Sequence, residues 1–263
     1  SGREAWALRP AAQWTLPQAV SVSNLVQPVT FETFDSDGNL LESWNLTAIS
    51  ENSPITISSS IASDTSWTSP ERAIVINNNV SVSAGARLSV GPGVIVLIEP
   101  GITLTVNGTL DVWGEEDNPA SFLPRSEGSD WILQLSGGNA SMTVSNAHFG
   151  GGHISVTGGG TLRFHESVIE HSQHAGGIVS STAGGNVHMW RSIVRDFAKT
   201  RFDSTPTLIE QCLFENMSTS GIELVGSAST SAVRRTTFRN SNVTADRGLL
   251  FDATSTGLAD NCL

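Results

Sequence analysis

The chain has 263 residues, a net charge of -11, and a single lysine, Lys199, so nearly all of its 14 basic side chains are arginines. This speaks against a basic surface for nucleic acid or anionic lipid, and against a long groove for a polyanionic sugar, which would need several cations. No stretch approaches the roughly 20 apolar residues of a membrane-spanning helix, so membrane insertion is not expected.

Residues 1–68 carry no fixed repeat and are read as an N-terminal cap or packing region. Phe31–Phe34 and Leu40–Trp44 flank Asp35-Ser36-Asp37-Gly38-Asn39, which predicts a β-hairpin. Asp35, Asp37 and Asn39 faintly resemble a calcium loop. The glutamate that should close such a loop is missing, so calcium is not expected.

From residue 69 the pattern changes. Val80/Val82, Leu88/Val90, Val94/Val96/Ile98, Ile102/Leu104/Val106 and Leu110/Val112 form short apolar alternations of period two, each a strand with one buried face. Turn chemistry separates them at Ser83-Ala84-Gly85, Gly91-Pro92-Gly93, Glu99-Pro100-Gly101 and Asn107-Gly108. Aligning Val80 with Ile102, Leu88 with Leu110 and Val90 with Val112 gives a step of 22 residues each time. A fixed step of that size predicts a solenoid, in which no coil buries its apolar face until its neighbours stack on it.

The run Gly101–Gly114, GITLTVNGTLDVWG, leads through a turn to Asn118-Pro119-Ala120-Ser121-Phe122. It is preceded by Val82–Gly93, VSAGARLSVGPG. Together these resemble the right-handed parallel β-helix repeats of the pectin-lyase-like superfamily, and most closely those of large extracellular, adhesin-like proteins. The resemblance spans about residues 70–263. It implies an all-β, right-handed parallel β-helix over 69–263. It implies little about activity, because that fold carries lyases, hydrolases, epimerases, adhesins and inert stalks.

Beyond Trp131 the repeat loosens but persists. A small residue precedes an apolar pair at Ala147, Ser167, Ser192, Cys212, Thr236 and Cys262, and a second ladder runs through Ile154, Ile178, Ile222 and Leu249. Cys212 and Cys262 fall on the same rung position two coils apart, roughly 9 to 10 Å at the spacing of neighbouring strands. A disulfide needs Cα atoms within about 7 Å, so both cysteines are expected to be buried free thiols. The last coil stops in mid-strand, which suggests that a longer chain or further copies of the protein continue the stack at that end.

The candidate chemistry is sparse. All six histidines lie between His148 and His188. His171, His174, Glu170 and Asp196 are the candidates for a general-base site or a His/carboxylate metal site. No H-x-H, H-E-x-x-H or C-x-x-C spacing accompanies them, and no cofactor or metal is expected. The motifs that the sugar-active relatives use are not recognisable. Trp113, Trp131 and Trp190 are candidate platforms for sugar stacking. Six N-x-S/T sequons, at Asn45, Asn79, Asn107, Asn139, Asn216 and Asn242, are candidate N-glycosylation sites. The leading expectation is a non-enzymatic structural or adhesive segment outside the cell or at its surface. A carbohydrate-active enzyme and a carbohydrate-binding β-helix are the alternatives.

Overall fold

The structure is a computed structural model. It describes residues 28–34, 40–47, 54–68, 72–126, 130–170, 176–180, 185–197, 199–203, 206–218, 220–226, 231–239, 247–251 and 257–263. The chain divides into two compact units, Ser1–Ala48 and Ile49–Leu263. In the first, Pro28–Phe34 pairs antiparallel with Leu40–Thr47, with Phe31 opposite Trp44. These are the two strands of the hairpin read from the sequence; the acidic turn between them, Asp35–Asn39, lies outside the described residues.

The second unit is a parallel β-solenoid of three sheets. The first sheet stacks Thr65–Trp67, Arg87–Val90, Thr109–Trp113, Ser141–Ser145, Thr161–His165, Asn186–Trp190, Thr207–Glu210, Ser231–Arg234 and Gly257–Asp260. The second stacks Ile55–Ile57, Ile74–Ile76, Ile95–Ile98, Ala120–Pro124, Ala147–Gly150, Val168–Glu170, Ile193–Arg195, Leu213–Glu215 and Thr237–Arg239. The third stacks Val80–Val82, Thr103–Val106, Trp131–Ser136, Gly152–Thr157, Gly176–Ser180, Lys199–Asp203, Ser220–Val225 and Arg247–Phe251. The chain visits the sheets in rotation, so every strand inside a sheet pairs with strands one coil before and one coil after it. Parallel pairing already begins at Ile55–Ile57 and Thr65–Trp67, within the residues read as a cap. Strands of three residues hold a single alternation, too little to reveal a repeat.

The core is what the alternation predicts. Leu88, Leu110, Met142, Leu162 and Val187 are fully buried in the first sheet, and Val96, Phe122, Phe149, Ile169, Val194 and Phe214 in the second. Phe122 and Phe149 stack with ring centroids 4.9 Å apart, and Phe164 meets Phe149 edge-on at 5.6 Å. Burying each of these rings contributes about 2–3 kcal/mol before conformational entropy is subtracted.

The register confirms most of the ladder and corrects one part. Leu88 pairs with Leu110 and Val90 with Val112. Val80, however, pairs with Leu104 and not with Ile102. The extra residues sit in the Glu99–Ile102 turn, and a shorter turn at Asn107-Gly108 restores the step before Leu110. A slip of two residues keeps the same side chains on the buried face, so alternation alone is blind to it.

Candidate functional site

From Asn146 on, the corner from the first sheet to the second is the most regular part of the molecule. One residue in the left-handed backbone region turns the chain there in successive coils: Asn146, Glu166, Arg191, Gln211, Arg235 and Asn261, with φ between 46° and 55°. Their backbone N–H groups reach across to the next coil, as Glu166 does to the Trp190 carbonyl at 3.0 Å. A small residue follows each of them. Ser167 Oγ donates to the His165 carbonyl at 2.7 Å, Ser192 Oγ to that of Trp190 at 3.1 Å, Cys212 Sγ to that of Glu210 at 3.3 Å, and Thr236 Oγ1 to that of Arg234 at 3.1 Å. The small ladder seen in the sequence is therefore a corner device in which, except at Ala147, a short donor closes the turn.

Both cysteines belong to it, and both are free. Thr237 donates its N–H to the Cys212 carbonyl, and Leu263 donates to that of Thr236, so Thr236 stands between the two thiols as the repeat requires. Cys212 is buried, and burial pushes its thiol up to about 12. Cys262 is only partly buried, against expectation. It lies on the last described rung, with a neighbouring coil on one side only.

Glu170 is the most committed of the candidate residues. It ends a second-sheet strand on the outer face and is nevertheless buried. His148 Nε2 donates to Glu170 Oε1 at 2.8 Å, and Arg195 of the next coil pairs with Oε2. Burial opposes ionisation of this carboxyl, but the hydrogen bond and charge of His148, together with Arg195, outweigh it and hold the group down to about 2. A carboxylate held so low is a poor proton acceptor at neutral pH. The same row runs on through Glu215 and Arg239, which also pair, giving acid and base in alternation along the stack.

Asp196 occupies another left-handed corner, from the second sheet to the third, at φ 66°. Asn216 stands one coil on at φ 55°, and its Nδ2 donates to Asp196 Oδ1 at 3.0 Å. His171 and His174 lie outside the described residues, as do Asn242 and the side chain of Asn45. The other histidines, adjacent in sequence, are distributed over three faces. His148 joins Glu170 on the second sheet, His153 is buried in the third, and His165 and His188 stand on the first. Of the remaining sequon residues, Asn79 accepts the Thr103 N–H at 2.8 Å, Asn107 is half-buried, and Asn139 is exposed beside the Gly137-Gly138 turn.

On the first sheet the row Trp113, Ser145, His165, Trp190, Glu210, Arg234, Asp260 runs along the outside. Trp113 is 41% exposed. His165 meets Trp190 edge-on with centroids 5.7 Å apart, the Arg191 guanidinium lies over the Trp190 ring at 4.2 Å, and Trp190 Nε1 donates to Gln211 Oε1 at 2.9 Å. Trp131 is no platform: it is 1% exposed, and its Nε1 donates to the Gly150 carbonyl at 2.9 Å. The sequence reading missed His165 with Trp190. The signal was available, since each ends a strand one residue before a left-handed corner.

Among the described residues, no group of three or more His, Cys, Asp or Glu side chains is placed to hold a metal ion. The fold defines the class of the protein, a parallel β-solenoid, and the class fixes architecture without fixing activity. Comparison with protein-family models, with curated proteins and with solved structures finds no match.

Proposed function

We propose that the chain is a non-enzymatic scaffold, a stiff segment of an extracellular or cell-surface structural or adhesive protein such as a stalk, hair or filament. One observation carries this reading: the outward charged side chains are used to tie coil to coil. Arg87 pairs with Asp111, Arg125 with Glu99, Arg191 with Glu166, Arg195 with Glu170, Arg234 with Glu210 and Arg239 with Glu215. Each pair spans neighbouring coils. An enzyme keeps such groups convergent on a substrate, with pKa values matched to proton transfer. Glu170 and Asp196, the two described candidates, are instead tied to neighbouring coils.

Kinship with the adhesin-like repeats of the pectin-lyase-like superfamily is part of the same proposal. It is supported by the Gly101–Phe122 motif together with the parallel stack. Exposed Asn79 and Asn139 suit a glycosylated surface, and further copies of the chain are the proposed partners. The test is a turnover screen of the purified protein on neutral and acidic polysaccharides, run beside light scattering and electron microscopy. The scaffold reading expects no turnover and concentration-dependent assembly. Turnover abolished by His148→Ala would overturn it.

A second reading rests on Trp113, which presents its ring to solvent in the same row as Trp190. A carbohydrate binder would show Trp fluorescence quenched by oligosaccharide, and Trp113→Ala would remove the quenching.

A further inference from the structure

The first sheet holds a pair of histidines that neither reading uses. His165 and His188 stand on neighbouring coils with ring centroids 5.6 Å apart at 67°. The Nε2 atoms of both are buried without a hydrogen-bond partner. A buried nitrogen without a partner is costly, and it is far costlier when charged.

Burial, His188 and Arg163 disfavour protonation of His165. The strand Ser141–Ser145 on one side offers no titratable group. On the pair's own strands and corners stand Arg163, Glu166 and Arg191, and the strand Thr207–Glu210 on the other side offers Glu210. Both acids are already engaged: Glu166 pairs with Arg191 at 3.1 Å, and Glu210 lies 3.4 Å from Arg234 and 3.8 Å from His188 Nε2. Protonating His165 would set a new cation beside His188 and Arg163, where Glu166 is already paired with Arg191.

We infer that the His165–His188 pair, with Trp190 against it, is a pH-sensitive clasp between coils, closed when both rings are neutral and opening when His165 is protonated. Burial, His188 and Arg163 all lower the pKa of His165 below the ordinary 6.5, and Glu166 opposes them only in part. A histidine with a lowered pKa contributes stability that is complete above the unfolded value of 6.5. That contribution diminishes as pH falls from 6.5 toward the folded value. The clasp therefore weakens in mild acid, in the window where histidine is the principal titrating side chain.

The experiment is hydrogen exchange of the intact chain at about pH 7.5 and about pH 5, corrected for intrinsic rates, alongside NMR titration of the histidine rings. The strands Thr161–His165 and Asn186–Trp190 should lose protection at the lower pH. Arg87–Val90 and Thr109–Trp113 should keep theirs, and His165 should titrate below 6.5. The double variant His165→Gln/His188→Gln should be equally protected at both values. Unchanged protection in the wild type, titration of His165 at or above 6.5, or an equal loss in the double variant would each overturn the clasp. The wild-type measurements decide the matter should the double variant fail to fold.

Discussion

Glu170 shows what a single side chain does when it is buried on the outside of a solenoid. Its carboxyl titrates near 2 in the folded chain against 4.5 when unperturbed. The ionised form is therefore bound to the fold by about 3 kcal/mol at roughly 1.4 kcal/mol per unit. The stabilisation is present above 4.5 and is lost as pH falls from 4.5 toward 2, because the unfolded chain takes up the proton first. Urea unfolding of wild type and Glu170→Gln should differ by about 3 kcal/mol at neutral pH and converge near pH 2. Thr200 is the opposite case. It is fully buried in the row otherwise held by Ile154, Ile178 and Ile222, and its Oγ1 has no partner. Thr200→Val should raise the urea midpoint, by about 1 kcal/mol of stability. Gly114 allows no side chain at all: a Cβ there would meet the Asn146 carbonyl oxygen and the Ala120 nitrogen. Both are backbone atoms that cannot swing aside, so Gly114→Ala should cost at least about 2 kcal/mol in the same assay.

At the scale of strands and corners, the register makes its own prediction. Thr236 lies one rung from each cysteine, at the roughly 4.8 Å of adjacent strands, inside the range of a disulfide. Thr236→Cys should therefore cross-link to Cys262 under mild oxidation, read as the loss of two hydrogens in the intact mass. Wild type should stay reduced. The ladders that place these residues were legible because alternation and small-residue spacing survive changes in turn length. What was not legible is which sheet a given turn residue faces. The six histidines looked like one cluster because they are close in sequence, yet His148, His153 and His165 stand on three different sheets. Each corner rotates the chain to a different face, and the corner lengths, which decide the face, leave no periodic trace. The pairing of Val80 failed for the related reason that a two-residue slip hides within a period of two. Strain at the corners is local: Arg235 is exposed at φ 48°, and replacing it with glycine should stabilise the fold by roughly 0.5–1 kcal/mol.

For the solenoid as a whole, stability is close to a sum over coils and the contacts between neighbours. Within the described stack the middle coils are flanked on both sides, so exchange protection should be greatest around Leu133–Val187 and fall toward Phe238 and Leu249, which are only partly buried. Coil length varies from place to place, yet from Asn146 on the left-handed corner between the first and second sheets does not. From Val144 to Phe149, Phe164 to Ile169, Met189 to Val194, Ile209 to Phe214 and Val233 to Phe238, the inward residues are separated by the same interval. From Asn146 on, the variation is absorbed by the other two corners, whereas in the earlier coils this same corner also holds the longer Gly114–Pro119 turn. In that part of the stack insertions are thus admitted along two edges of the prism and refused along the third. A foreign peptide spliced at an open edge would be displayed on an undisturbed frame, while the same peptide at the invariant edge would break the chain of carbonyl and amide contacts that holds successive coils in step.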